Sequence, residues 1–363
     1  NKILTLEHAI SYRQEVLLDF QSIPSLREEI NRFLPEIHRC IREYEEYRSM
    51  QQDEIRDGLW KTELFNLYSE CLTRLSDILE RHELQIRSQG LRSLKEYVRN
   101  IQKQPEYIEA VEFLPTIRKK VKDTGTFSLN VLFNAEYRPL FTTVVKSHNE
   151  EEDPLTLARA LFGPEEGKRY AFSVLSHSVP GIRTLYNQTF RSEMEAVFKD
   201  LDPILNAYSE KDFLVLCDLD YGFDFYLAAL KFIEYWKEKD IPICMPKVCS
   251  MEENIGIVHE MTDLGLVMRM TKSGVDSKTA VKNQAVFDDT GRIHILTGIN
   301  KGGKTTYVRG IGCLWLLFQN GLPVPGSFAR MSPVRKIFTH FPKEEEKVYG
   351  QGHLGKELNK LKK

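Results

Sequence analysis

The 363-residue sequence lacks long apolar runs, a secretory leader pattern and a strong excess of either charge. No window approaches the roughly 18 uninterrupted apolar residues that a membrane-spanning helix needs, so we expect no membrane partner. The first residues, NKILTLEHAISYRQEV, contain no basic segment followed by an apolar run and therefore predict no signal peptide. These absences favour a cytoplasmic protein.

Paired cysteines are also missing from the sequence. The six cysteines are scattered and none forms a C-x-x-C pair: Cys40, Cys71, Cys217, Cys244, Cys249 and Cys313. The Cys244/Cys249 spacing has no second half that would complete a zinc site. We therefore expect reduced, mostly buried thiols.

The low net charge and the lack of common catalytic motifs argue against a strongly basic nucleic-acid-binding protein and against common hydrolase classes. The net charge is −2, so no global basic field predicts nucleic-acid binding, and any DNA contact would have to be local. The basic cluster IRKKVKD (117–123) is explained at least as well by a solvated helix end. G-x-S-x-G, H-E-x-x-H and paired-carboxylate signatures do not rise above chance, and His294 is expected to be a core or edge residue rather than a ligand.

Helical periodicity dominates the first hundred residues. Between Arg27 and Met50, apolar residues recur at three- and four-residue steps and form one stripe, with Pro35 either denting this helix or marking its start. Similar stripes follow at 64–79 and 91–101. Their thick charged faces are typical of long helices packed along one side, which predicts a bundle or lever rather than an α/β sheet.

The spacing of apolar residues changes from helical to alternating after Gly125. FSLNVLF (127–133) alternates apolar and polar residues and LFTTVVK (140–146) is rich in β-branched residues, so we predict a β-hairpin at about 127–146. We interpret residues 147–168 as a polar loop. Helical stripes then return at 185–201 and 224–239, and the break at Ile241 predicts two domains, 1–240 and 241–363.

The second predicted domain begins with strand-like segments and leads to a glycine-rich loop. IPICMPKV (241–248) breaks the preceding helix, and strand-like segments follow in GIVHEM (256–261), LVMRM (266–270), AVF (285–287) and RIHILT (292–297). Residues 298–305, GINKGGKT, match G-x-x-x-x-G-K-T, and a helix is predicted at 305–321 with Gly321 at its C-terminal end.

The order of strand, glycine-rich loop and helix is the context in which this motif binds phosphate. Gly298, Gly302 and Gly303 let the backbone turn and present N–H groups, and the helix N-terminus adds partial positive charge. Lys304 is the candidate catalytic residue, reaching the β- and γ-phosphates, and Thr305 is the candidate Mg²⁺ ligand. The full set of predicted nucleotide-binding residues is Gly298, Ile299, Asn300, Lys301, Gly302, Gly303, Lys304, Thr305 and Thr306. A chance glycine-rich turn is the alternative.

The residues around this loop resemble the MutS mismatch-repair family. TGINKGGKTTYVR (297–309) is similar to the family's T-G-P-N-M-G-G-K-S-T-Y-x-R, including Asn300, Tyr307 and Arg309. GLPVPGSFARMSPVRKIFTHF (321–341) resembles a second family segment through Val324-Pro325, Pro333-Val334 and Ile337-Phe338-Thr339, and Val281 and Asn283 match a strand entry. The resemblance covers about 241–345 residue by residue and the helical part only in architecture.

The resemblance implies an α+β protein: a long-helix lever or core domain carrying a small β-hairpin, followed by part of an α/β P-loop ATPase domain of the ABC type. It implies ATP or ADP with Mg²⁺ as cofactors, a homodimer formed through the ATPase domain, double-stranded or branched DNA as partner of the full-length protein, and a location at the nucleoid. Ile299, Lys301 and Arg335-Lys336 depart from the family pattern, and Lys301 adds a positive charge that either contacts phosphate or faces solvent.

Two parts of the family pattern are not found in the sequence. No strand ending in Asp-Glu follows Lys304, so we expect the ATPase domain to be truncated before these acids and this fragment to be inactive in hydrolysis. The F-x-E at Phe232–Glu234 lies in a strong helix and is interpreted as packed rather than as a DNA wedge, which predicts a short relative without mismatch recognition. The alternatives are a nucleotide-binding helical scaffold without hydrolysis and another coiled-coil ATPase of the ABC or chromosome-condensing type.

Overall fold

The computed structural model describes residues 3–49, 54–124, 127–133, 139–146, 203–204, 210–299 and 302–340. The described residues are mostly helical with small sheets, which confirms the α+β class. The chain divides into two compact units: residues 15–231 form a helical unit, and residues 1–14 together with 232–363 form a mixed unit.

Long helices build the helical unit, as the apolar stripes predicted. They are α1 (Glu7–Ser22), α2 (Pro24–Ser49), α3 (Glu54–Arg81), α4 (Gln89–Gln102), α5 (Pro105–Thr124) and α6 (Glu210–Glu238), and the division between the units falls inside α1 and α6. Helix α2 begins eleven positions before Pro35, which lies inside the helix and neither begins nor ends it.

Aromatic side chains fill the interior of the helical unit. Phe20 is fully buried and stacks on Tyr226, with ring centroids 5.7 Å apart, and Tyr44 stacks on Phe213 at 4.0 Å. These contacts join helices α1 and α2 to α6 through offset rings, a favourable arrangement for aromatic pairs. The apolar stripe predicted for α2 is therefore the buried face of that helix.

The start of α4 is satisfied by side chains from two helices. Ser88 is the N-cap, and its hydroxyl accepts from the Leu91 N–H at 3.4 Å. Asp19 of α1 is 3% exposed, and its carboxylate accepts from the Arg87 N–H at 3.1 Å and the Ser88 N–H at 2.8 Å. Backbone donors that would otherwise be unpaired at this helix end are thus occupied.

The predicted hairpin is confirmed. Strands β1 (Phe127–Phe133) and β2 (Pro139–Lys146) pair antiparallel, with Phe127 opposite Lys146 and a register shift at Leu132/Phe133. The predicted loop at 147–168 and the helical stripe at 185–201 lie outside the described residues.

The mixed unit is built from short strands and two helices. Its elements are β3 (Ile243–Cys244), β4 (Lys247–Val248), β5 (Gly256–Met261), α7 (Leu264–Lys272), β6 (Asn283–Phe287), α8 (Lys304–Phe318), β7 (Val324–Pro325) and β8 (Phe328–Met331), with 3₁₀ turns at Met251–Glu253 and Ser277–Thr279. One sheet has the order β4-β8-β5-β6, in which only the β4–β8 pair is parallel, and β3 pairs with β7.

Helix α8 packs its apolar face on this sheet. Leu314 and Phe318 are fully buried against a shared set of side chains from α1 and the strands, namely Ile10, Val258, Met261, Ala285, Val324, Ala329 and Met331. A Cβ on Gly256 of β5 would lie 2.4 Å from the ring of Trp315, so the absence of a side chain there lets the indole lie directly on the strand.

The first residues of the chain belong to the mixed unit through buried polar contacts. Gln319 is fully buried, and its side-chain amide donates to the carbonyls of Leu4 at 2.7 Å and Val334 at 2.8 Å. The Leu4 N–H donates in return to the Gln319 carbonyl at 3.2 Å. Gln14 of α1 donates to the Pro246 carbonyl at 3.0 Å, so both the segment before α1 and the first part of α1 are bonded to later residues of the mixed unit.

The prediction of a strand at LVMRM was wrong, because these residues lie in α7. Asp263 is the N-cap and its carboxylate accepts from the Leu266 N–H, while Leu264 and Val267 face the interior. A five-residue apolar run does not distinguish a strand from a helix by period, and the Asp before it was the missed signal for a helix start.

The prediction of a strand at RIHILT was also wrong in this structure. Residues 293–299 are irregular, and within the described part of the chain no strand pairs with them. Ile293 and Ile295 are 90% and 88% exposed. A β-strand requires a neighbouring edge for its N–H and C=O groups, so a β-branched sequence alone does not produce one.

Two smaller expectations have clear outcomes. The F-x-E at Phe232–Glu234 lies inside α6, where Ile233 is 3% exposed and Phe232 meets Trp236 edge-to-face at 6.0 Å, as the interpretation of a packed helix expected. None of the described helices is both long and apolar enough to cross a membrane.

Candidate phosphate-binding loop

The loop that carries the phosphate motif runs from residue 298 into the first turn of α8. Asn300 and Lys301, two of the predicted nucleotide-binding residues, lie outside the described residues. The other seven lie together in sequence and in space at the start of this helix, with Gly302, Gly303 and Thr305 exposed.

Glycine is required by the backbone at two positions of the loop. Gly303, directly before α8, has φ of 85°, a conformation that costs a residue with a Cβ about 1–2 kcal/mol. At Gly302, a Cβ would lie 3.0 Å from the Ile299 carbonyl oxygen, to which the Gly302 N–H donates at 3.1 Å. A side chain at position 302 would therefore have to push against the Ile299 carbonyl.

The N-terminus of α8 carries no side-chain cap. Gly303 occupies the cap position, and no side-chain hydrogen bond is made there. The first intrahelical bond at this end runs from the Tyr307 N–H to the Gly303 carbonyl at 2.9 Å. First-turn N–H groups have no acceptor within a helix, and together with the helix dipole they attract an anion.

Lys304 is folded back onto the loop. Its Nζ donates to the carbonyls of Gly298 and Ile299, the latter at 2.8 Å. These are neutral acceptors, and in the described chain no carboxylate forms an ion pair with this ammonium. A phosphate group carries full negative charge, so it is a stronger partner for the same ammonium than a carbonyl.

The hydroxyl groups after Lys304 differ in exposure. Thr305 is exposed and Thr306 is half-buried. A threonine hydroxyl directly after the loop lysine suits a hard cation such as Mg²⁺, which prefers oxygen ligands and keeps several waters.

Helix α8 is held in place by two contacts that were not predicted from the sequence. The Tyr307 hydroxyl donates to the Gln284 carbonyl of β6 at 2.9 Å, and burial raises the pKa of this tyrosine. Asp263, the N-cap of α7, lies beside the second turn of α8, where a Cβ on Gly310 would be 3.6 Å from its Cβ. The glycine at 310 is the only sequence signal of this close approach.

The region after α8 matches its prediction in part. Gly321 adopts a positive φ of 75°, as expected for a residue that follows a helix end, although α8 itself ends at Phe318. The Leu322 N–H donates to the Leu317 carbonyl at 3.0 Å, which closes the helix end. A Cβ on Gly321 would lie 2.5 Å from the Cβ of Arg13, so a side chain there would displace α1.

The predicted roles of His294 and of the cysteines can also be compared with the structure. His294 is exposed rather than in the core, and its ring lies 4.5 Å from that of Phe287. Cys40, Cys71 and Cys249 are buried, and all six cysteines are free thiols. Burial raises the pKa of Cys244 to about 11, so this thiol is protonated and unreactive at neutral pH.

Comparison with known proteins gives a match in both units. The family model of the MutS2 N-terminal domain matches residues 6–238, and that of MutS domain V matches residues 294–363. The DNA mismatch repair protein MutS of Aquifex pyrophilus is 26% identical over 237 residues, 63% of this chain and 25% of that protein.

Other relatives give the same pattern. MutS of Chlorobium phaeovibrioides is 24% identical over 67% of this chain and 26% of that protein. MutS of Fervidobacterium nodosum is 33% identical over 22% of this chain and 10% of that protein. The chain thus spans about a quarter or less of the length of these curated relatives.

Proposed function

Since this chain belongs to the MutS family, with a MutS2-type N-terminal domain, we propose that it is an ATP-binding protein that acts on DNA. The nucleotide binds at residues 298–306, at the start of α8. The relatives are named as mismatch repair proteins, and their names support the DNA partner.

One observation carries the nucleotide proposal: the uncapped N-terminus of α8 next to the Lys304 ammonium. Gly303 supplies no side chain to this helix start, and Lys304 reaches over the loop to two carbonyls. Phosphate oxygens replace those carbonyls as acceptors when ATP binds. The loop N–H groups then donate to the same phosphates, a combination of charge and directed donors that suits a triphosphate.

Magnesium is the second cofactor of the proposal. Thr305 is exposed at the second residue of α8 and offers one oxygen ligand. The remaining ligands would be phosphate oxygens and water, since Mg²⁺ is usually bound by few protein groups. Lys304 would lie beside the β- and γ-phosphates, and an ion held by Thr305 would supply further neutralisation of their charge.

In the whole protein we propose an ATPase of the P-loop type that works as a homodimer at the nucleoid. ATP binding and hydrolysis would change how the long helices of the helical unit engage DNA. A difference in contacts with the γ-phosphate is the general means by which such proteins change state. The MutS-family match supports this proposal. The proposal also requires the remaining strands of a P-loop ATPase fold in the whole protein.

The nucleotide proposal is tested by Lys304→Ala with a fluorescent ATP analogue and Mg²⁺. Loss of a charge-assisted hydrogen bond worth about 1.5–3 kcal/mol weakens affinity roughly 10-fold to 150-fold. Lys272→Ala is the matched control, because Lys272 is an exposed lysine in the last turn of α7. Equal affinity in the two variants would remove Lys304 from the site.

The DNA proposal needs a separate measurement on the full-length protein. Retention on duplex and branched DNA is measured with and without ATP at several salt concentrations. We expect ATP-dependent retention that falls steeply with salt, because phosphate contacts release counterions. Nucleotide binding without phosphate release or DNA retention would instead identify a nucleotide-binding scaffold.

A further inference from the structure

Three potential metal ligands from two helices meet in the helical unit, far in sequence from the phosphate loop. His38 lies on α2, and Asp220 and Asp224 lie one turn apart on α6. The spacing of four residues places both carboxylates on one face of α6. One ligand atom from each of the three side chains lies within 4.8 Å of the other two.

The distances fit a shared cation. Ligands at about 2.1 Å from a metal are about 3.0–3.4 Å apart in octahedral or tetrahedral sites. His38 Nε2 and Asp220 Oδ1 are 2.8 Å apart, so this pair is already close to that spacing. The exposed carboxylate of Asp224 lies within 4.8 Å of both atoms and would have to move closer to share the ion.

Asp220 is incompletely satisfied without a cation. Its side chain is 15% exposed, and its buried Oδ1 lies 2.8 Å from His38 Nε2. His38 is the one described residue in contact with this oxygen, so the carboxylate has few partners for a largely buried charge. A metal ion bound between His38 and Asp220 would supply the charge compensation that burial otherwise denies this group.

Charge also favours a cation here. Burial raises the pKa of Asp220, the charge on His38 opposes that rise, and the neighbouring Asp224 adds to it. Within the described chain, Asp224 has no hydrogen bond or ion pair of its own. Two carboxylates one turn apart on the same face of α6 are a favourable environment for a divalent cation.

We propose that His38, Asp220 and Asp224 bind one divalent transition-metal ion of the Mn²⁺ or Zn²⁺ type. One imidazole and two carboxylates are a donor set that these ions accept, with water completing the coordination. The ion joins α2 to α6 across the helical unit. Its role is structural, since metal binding to the folded state alone stabilises that state.

Direct titration of the nucleotide-free chain with MnCl₂ tests the site, with free Mn²⁺ followed by electron paramagnetic resonance. Mn²⁺ is the probe because the soft thiols of this chain bind it poorly. We expect one ion per chain, and a melting temperature that rises with Mn²⁺ concentration. His38→Ala and Asp224→Asn are each expected to weaken binding 10-fold or more.

Asp77→Asn is the matched control, because Asp77 is another exposed aspartate on a helix of the same unit. It should leave Mn²⁺ binding unchanged. Circular dichroism with EDTA establishes that each variant is folded, and Asp224 is exposed enough for Asp224→Asn to retain the fold. Absence of saturable binding up to about 1 mM, or equal binding by all three variants, would overturn the proposal.

Discussion

The starts of α4 and α8 both have first-turn N–H groups without acceptors inside the helix, but the two starts differ in whether side chains accept from them. At α4, Ser88 and the buried Asp19 accept the hydrogen bonds that the helix cannot satisfy itself. At α8, Gly303 provides no side chain and the adjacent loop is exposed. The first helix start is capped by side chains, whereas the second has no side-chain cap, as the proposed nucleotide site requires.

The start of helix α7 shows that side-chain capping also occurs within the mixed unit. Asp263 caps it through the Leu266 N–H, although α7 lies beside α8. The open start of α8 is thus a local property of GINKGGKT and not of the whole unit. This contrast predicts that substitutions at closed starts change stability, and that substitutions at the open start change ligand affinity.

The largest effect on stability is expected from Asp19→Ala. The substitution removes a charged acceptor and leaves two backbone N–H groups unpaired at a site that is 3% exposed. We expect the free energy of unfolding to fall by about 2–4 kcal/mol. Urea denaturation measures this loss, and nucleotide affinity should not change. A loss below that of the exposed Asp77→Asn would show that this carboxylate contributes nothing.

Gly303→Ala should lower both the stability of the fold and the affinity for nucleotide. The positive φ costs alanine about 1–2 kcal/mol of stability, and nucleotide affinity falls because the loop N–H groups move. Gly274→Ala is the control, since Gly274 also has positive φ and a Cβ added there would meet open space. We expect similar melting temperatures for the two variants but weaker nucleotide binding only for Gly303→Ala. Equal affinities would contradict a role for Gly303 in binding.

The smallest effect is expected from Ser88→Ala. Loss of an N-cap hydroxyl costs about 1 kcal/mol, because the Leu91 N–H loses its acceptor while Asp19 still accepts from neighbouring groups. Thermal unfolding measures the change. A loss as large as that of Asp19→Ala would mean that the two groups act as one unit rather than separately.

The sequence predicted features that depend on local pattern. The hairpin at 127–146, the helix containing Phe232 and the helix after the phosphate loop all have strong periodicity or turn residues, and all are present. The family was also recognised from local residues, because Asn300 and Tyr307 lie in or next to the phosphate loop and Val324-Pro325 follow the helix after it. Patterns of this kind can be read from short stretches of sequence.

The features that were missed depend on partners elsewhere in the chain. RIHILT has strand composition but no described strand beside it, and LVMRM is too short to distinguish helix from strand by period. The Asp19 carboxylate accepts from N–H groups that lie 68 and 69 residues later in the chain. No property of Asp19 in the sequence distinguishes it from an exposed aspartate.

The attachment of the first fourteen residues to the mixed unit has a consequence during biosynthesis. Leu4 and Gln319, which exchange hydrogen bonds, are 315 positions apart. At about 5–20 residues per second, a ribosome needs roughly 15–60 s to make the chain between them. The apolar face of Ile10 therefore leaves the ribosome long before Phe318 exists to cover it. Until then, the apolar face of this end of α1 has no partner from the second half of the mixed unit, which is the later of the two units to become complete.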